Sequence, residues 1–347
     1  MITLPAHLVA TPVLERLATG LHGARPQDPA GELEGVVLGA GTTAAWVDLD
    51  GFVIAITTRE VPLLPNAIAV AASSGALVGA RASTGGVARL ALGRVGLGSV
   101  QVTWDPAAPP GWDPTVPVPS GATRQAVGAR GAALLRALGA EEAVEGAVDN
   151  HQDAPSRPAT LPLRGPKHPE GAEAHVLVRH VVRELGRIGL ATAADPEGAA
   201  GLTWLFRGIW ERDPEPAAAA ARELLGRGPG LTPEGDDLLA AVAGTVAVLG
   251  PATGMGRSIR RSVLAALVAP APARTTALSA TLLELAADGL LAEPAGRLLD
   301  LSPAGERAWP AALARLRRLG HGSGRAYATG IAPACLLAGA ADDRAVP

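Results

Sequence analysis

The chain has almost no cysteine and almost no lysine. Cys335 stands alone, in an apolar run. That excludes an internal disulfide framework and a cysteine-built zinc site, and a buried, inert thiol is expected there. Lys167 is the only lysine, so arginine carries the positive charge, and the formal net charge is −3. Both signs are scattered, with no basic stripe for nucleic acid and no acidic tail. No run is long and apolar enough to cross a bilayer; the longest, Leu238 to Leu249, is too short. The start of the chain lacks the basic segment and apolar stretch of a signal peptide. A soluble, cytoplasmic protein is expected, with no nucleic-acid and no membrane partner. There is no His-Glu-x-x-His and no histidine cluster at zinc spacing, and His151 and His168 have no ligand partner nearby in sequence. Gly254–Ser258 lacks the Gly-Lys-Ser/Thr ending of a phosphate-binding P-loop, and Gly93–Gly98 only superficially resembles a dinucleotide fingerprint.

What is present is enough chain for two domains, 347 residues, with no repeat of fixed period. Residues 1–120 read as a β-rich domain, a small sandwich or barrel. His7 to Thr19 reads as a short helix. Gly35–Leu38, Ala44–Leu49 and Phe52–Thr57 read as strands, with Asp50-Gly51 as a two-residue hairpin signal between the last two. Strands are also expected at Gly75–Gly79, Gly86–Leu92 and Ser99–Trp104. Residues 121–172 read as a helix plus a proline-rich linker. Residues 173–347 read as a helical bundle, with the nearly all-apolar helix 232–249 at its centre. The expected class is α+β.

The chemistry concentrates in Gly226-Arg-Gly-Pro-Gly-Leu-Thr-Pro-Glu-Gly-Asp-Asp237, a glycine-rich loop that opens a helix. Thr232 is the expected N-cap and Pro233 the first helical residue. Gly228 and Gly230 permit left-handed backbone, and unpaired N–H groups at the positive end of a helix dipole suit a phosphate or a carboxylate. Leu231 and Gly235 belong to the same turn. Asp236 and Asp237 complicate this picture, because a carboxylate repels an anion unless a cation or a donor-rich group intervenes. Mg²⁺ bridging to Asp236 or Asp237 is one resolution; a carbamoyl-type ligand is another. A capped helix with acidic residues in its first turn is the plainer reading of the same residues.

A second loop-to-helix junction, Gly320-His321-Gly322-Ser323-Gly324, offers His321 as acid, base or donor and Ser323 as cap or ligand. It lacks a nucleophile-elbow pattern, which discounts a serine nucleophile. Arg274-Thr-Thr-Ala-Leu-Ser279 offers Thr275 and Ser279, four apart, as pocket hydroxyls or as bonds back to helix carbonyls. The two glycine loops are expected to share one site.

In these three motifs, taken in order, with Gly289 and Pro65-Asn-Ala-Ile68, the sequence resembles the AllH-type subunit family of oxamate carbamoyltransferase. The resemblance departs at Gly322 and at Arg325 with Tyr327. It implies carbamoyl transfer between oxalurate plus phosphate and oxamate plus carbamoyl phosphate, in ureide (allantoin) breakdown, by an assembly of different subunits. On that basis Gly228, Gly230 and Thr232 would cradle the anion, with Leu231, Gly235, Thr275, Ser279, Gly322 and Gly324 around it. His321 and Ser323 would supply polar or acid–base contacts, and Asp236 or Asp237 would orient an amide NH₂ or bind a metal. Two other readings are a non-catalytic assembly subunit and a metal-dependent hydrolase using Asp236 and Asp237.

Overall fold

The computed structural model describes residues 1–23, 32–117, 121–149, 171–320 and 322–341; His151, His168 and His321 lie outside them. The first part is a β-barrel. Its strands are β1 (Ile2–Ala10), β2 (Leu33–Ala40), β3 (Ala44–Leu49), β4 (Phe52–Thr57), β5 (Ala67–Val70), β6 (Val87–Ala91), β7 (Arg94–Leu97), β8 (Val100–Thr103) and the short β9 (Gly111–Trp112). They are ordered β5-β4-β3-β2-β6-β7-β8-β1, with β9 beside the end of β1, and β1 pairs back onto β5. That pairing closes the sheet and removes its edges, so the barrel alternative holds over the sandwich. The hairpin at Asp50-Gly51 is as expected. Both residues have positive φ, 50° and 83°, the twist that a two-residue turn needs to match its strands.

Two local expectations are corrected. The helix foreseen from His7 begins only at Thr11, as α1 (Thr11–Gly23). Before it, β1 pairs with β8 through Ile2–Pro5 and with β5 through Ala6–Val9. Ladder bonds on both sides outweigh the local helical pattern. The strand foreseen at Gly75–Gly79 is a turn running into a 3₁₀ helix, Val78–Ser83, because Gly75 sits at φ 96° and its carbonyl accepts from Val78 N–H.

The barrel core takes alternate residues of each strand, among them Val47 and Leu49 of β3, Ile54 and Ile56 of β4, and Ile68 and Val70 of β5. The other face of β4 is buried too: Val53 and Ala55 are fully covered. A continuous apolar run suits a strand covered on both sides. The cover is the helical part, where the Val53 N–H donates to Thr281 Oγ1 at 2.9 Å.

The helices of that part are α2 (Arg124–Asp149), α3 (Gly171–Arg187), α4 (Ala191–Ala194), α5 (Pro196–Glu211), α6 (Pro214–Leu224), α7 (Glu234–Leu249), α8 (Arg257–Val268), α9 (Ala271–Arg274), α10 (Ala277–Ala287), α11 (Glu293–Leu299), α12 (Pro303–Leu316) and α13 (Ser323–Ala340). α7 is the central helix expected, with every residue from Gly235 to Val246 buried. The structure thus has the expected α+β class, a barrel followed by helices. Among the described residues no helix is long and apolar enough to cross a membrane.

Three helices share a direction. Asp236, at the start of α7, bonds Thr275 just ahead of α10, while Ala247 and Val248, near its end, lie against Gly289 just past α10. On another side of α7, Thr232 meets Ser323 at the start of α13, and Leu238 and Ala241 lie against Gly330 further along it. So α7, α10 and α13 run parallel, with their N-termini at one end of the bundle.

Candidate functional site

That shared end is where the glycine loop lies. Thr232 is not the N-cap foreseen. α7 begins at Glu234, and Pro233 occupies the cap in extended backbone, φ −52° and ψ 146°, without a side-chain cap. Its carbonyl receives the N–H groups of Asp236 and Asp237, at 3.0 and 3.2 Å. Thr232 is thereby released, and its hydroxyl bonds Ser323 Oγ at 2.8 Å. This contact joins the two glycine turns.

The acidic residues of α7 have separate duties. Glu234 Oε2 accepts from the Thr192 N–H (2.7 Å) and from its hydroxyl, which fixes α4. Asp236 is buried and clamps the loop: Oδ1 accepts from Gly226 N–H at 2.8 Å, and Oδ2 accepts from the Thr275 hydroxyl. Desolvation raises its carboxyl above the ordinary range, against the pull of those bonds. Asp237 is different. It is 4% exposed, and its Oδ2 has no hydrogen-bond partner among the described residues. Burial pushes its carboxyl up to about 8, with the charges of Asp236 and Glu234 adding to the shift and the Ser323 hydroxyl opposing it. Tyr327, buried beside it on α13, is raised by burial and then by the Asp237 charge.

The loop backbone is held from the α10 side. Thr276 caps α10, accepting from Ser279 N–H, and its hydroxyl donates to the Leu231 carbonyl at 2.6 Å. The Ser279 hydroxyl reaches the same carbonyl at 3.4 Å. Thr275 is in extended backbone ahead of the helix. It therefore shares no helix face with Ser279; each hydroxyl instead holds a different part of the loop. Thr276 was missed by the sequence reading, although a threonine directly before an apolar helix is a capping signal. Thr192 and Tyr327 carried no such signal.

The glycines divide into two kinds. A Cβ on Gly235 would lie 2.1 Å from the Leu224 carbonyl oxygen, and one on Gly324 would lie 1.7 Å from that of Leu316. Their N–H groups are also used, by the Arg227 and Leu319 carbonyls. These two glycines let helices pack closely and present no N–H to a ligand. Gly230 and Gly322 face open space, with nothing within 4 Å of a Cβ. Gly228 and Gly230 have φ of 114° and 100°. Among the described residues, the N–H groups of Gly228, Gly230, Leu231 and Thr232 have no acceptor. Residues 228–231 are exposed. Arg227, at the base of the loop, is held by Asp195 and by Glu197 at 2.9 Å. At the second turn Arg317 and Arg325 stand close enough for their charges to interact.

A divalent cation at Asp236 and Asp237 would need further ligands. Among the described residues no three of His, Cys, Asp and Glu gather to hold one, and both oxygens of Asp236 already accept bonds from the protein.

Residues 224–335 match the family model of oxamate carbamoyltransferase subunit AllH. The resemblance read from the motifs is shown over this stretch. The AllH match runs from the last residue of α6 into α13, and takes in the glycine loop, Thr275 to Ser279 and the second turn. No curated protein and no solved structure matches the chain.

Proposed function

We propose that the chain is a subunit of an oxamate carbamoyltransferase-like assembly and binds the small anionic substrate at residues 228–232. The reaction is the transfer of a carbamoyl group between oxalurate plus phosphate and oxamate plus carbamoyl phosphate, in ureide (allantoin) catabolism. The observation that carries this reading is the meeting of three parallel helix N-termini, α7, α10 and α13, at a loop with four N–H groups that no acceptor among the described residues takes up. Each N-terminus contributes roughly half a positive charge, and open N–H groups there are an anion site. Phosphate, carbamoyl phosphate, oxamate and oxalurate all carry negative charge. In transfer, an oxygen of hydrogen phosphate attacks the carbamoyl carbon and charge develops on the carbonyl oxygen; the C–N bond to the oxamate part then breaks, and the phosphate's proton passes to the leaving nitrogen to complete the oxamate NH₂. Fixed N–H donors stabilise such charge without reorganising.

The other subunits implied by the AllH description are the partners, and Leu231, 44% exposed at the loop tip, is the side chain a partner would cover. Among the described residues the hydrolase alternative finds no cluster of three ligands for its metal.

The test is the melting temperature of the full chain with phosphate, carbamoyl phosphate or oxamate, each with and without Mg²⁺. A ligand at about 100 times its Kd stabilises by roughly 2.7 kcal/mol. The shift should occur without Mg²⁺ and be lost in Gly230→Val. No shift with any of these ligands would leave the assembly-subunit role in its place.

A further inference from the structure

An anion site beside two aspartates poses a question of sign, and the structure separates the two residues. Asp236 is consumed by the loop it clamps. Asp237 is the exception: a carboxyl 4% exposed, with one oxygen that meets no donor or acceptor among the described residues. A buried polar atom left unmatched costs free energy, so this one calls for a counterpart. It lies next to Ser323, whose hydroxyl bonds Thr232 of the anion loop. One serine therefore stands beside both the loop and the carboxyl.

We propose that Asp237 is the specificity-determining residue for a primary amide or carbamoyl end, in a ligand whose anionic end rests on residues 228–232. This rests on the anion-site reading and adds to it the identity of the other end. A group –CO–NH₂ presents an N–H and a carbonyl oxygen side by side. A carboxyl group answers both, accepting from the N–H and, when protonated, donating to the carbonyl. A second carboxylate or a phosphate in the same place brings only acceptors and a charge. Burial of Asp237 supports the protonated form, and the ionisable groups whose charges reach it are Asp236 and Glu234 on its own helix and Tyr327 on α13. A site built to pair with an N–H discriminates strongly against an analogue without one, because its own buried group is then left unpaired.

The experiment compares oxamate with oxalate, which replaces the amide by a second carboxylate, and uses inorganic phosphate as the probe of the loop alone. Calorimetric Kd values are measured on the full chain, as wild type, Asp237→Asn and Asp237→Leu. Wild type should bind oxamate at least tenfold tighter than oxalate. Asp237→Asn keeps an acceptor and a donor and should keep the preference. Asp237→Leu should lose it while phosphate affinity stays within about threefold. Equal binding of oxamate and oxalate by wild type, or an undiminished preference in Asp237→Leu, would overturn the proposal. Should Asp237→Leu not fold, Asp237→Ala is read by the same criteria. If none of the three ligands binds wild type, the anion site itself is wrong, which is a different failure from binding without discrimination.

Discussion

The two glycine turns look alike in sequence and do different work. In the turn that leads into α7, Gly228 and Gly230 take left-handed backbone, stand exposed and give their N–H groups to no acceptor among the described residues. In the turn that leads into α13, Gly324 is pressed against the Leu316 carbonyl and its N–H is spent on Leu319. The first turn presents its backbone outward; the second brings a helix start against the end of α12 and delivers Ser323 to the first. Gly235 shows that both roles occur within one motif. A run of glycines therefore does not by itself mark a binding loop; what a Cβ would strike tells the two kinds apart.

The sharpest break of this comparison is Gly324→Ala. The obstacle is backbone rather than a yielding side chain, so about 3 kcal/mol of stability should be lost. Urea unfolding measures it, and a loss under about 1 kcal/mol would show that α13 can move away from α12.

Next comes the pH dependence of the paired aspartates. The Asp237 carboxyl is raised from the ordinary range to about 8, so between about pH 4 and pH 8 the folded state holds a proton that the unfolded state has released. Folding stability from this group falls as pH rises through that window. Asp237→Asn should remove the fall, by at most about 1.4 kcal/mol per pH unit. Its stability should therefore gain on wild type steadily from pH 5 to pH 8, and parallel curves would mean that Asp237 is ionised.

A smaller effect is expected from Gly230→Ala. Space is open there and only the φ of 100° is strained, so roughly 1–2 kcal/mol should be lost. The result sharpens the contrast with Gly324 if anion binding suffers in the Gly230 variant far more than stability does.

The smallest is the bond between the turns. A double-mutant cycle of Thr232→Val and Ser323→Ala should show coupling of about 0.5–1.5 kcal/mol. Additive effects would mean that the turns are held together by helix packing alone.

Much of the fold was legible because it is local. Alternation and Asp-Gly chemistry place β3, the hairpin and β4, and the apolar helix after Pro233 is α7. β1 was hidden because Pro5 and His7 interrupt its pattern, and its pairing partners lie far along the chain. The site was legible as motifs but not as duties. Glycine and threonine announce a turn, yet whether Thr232 caps its own helix or reaches Ser323 depends on where α13 starts, 91 residues later. The division between Asp236 and Asp237 follows from burial and from Thr275, which adjacent positions on one helix cannot reveal.

α10 links the barrel to the glycine loop. At its start Thr276 holds the Leu231 carbonyl of the loop; five residues on, Thr281 accepts from Val53 N–H and donates to the Gly51 carbonyl at the barrel hairpin. Those two grips lie about 7.5 Å apart along the axis. The helix is a crossbeam that fixes the barrel hairpin and the glycine loop to each other within its first two turns.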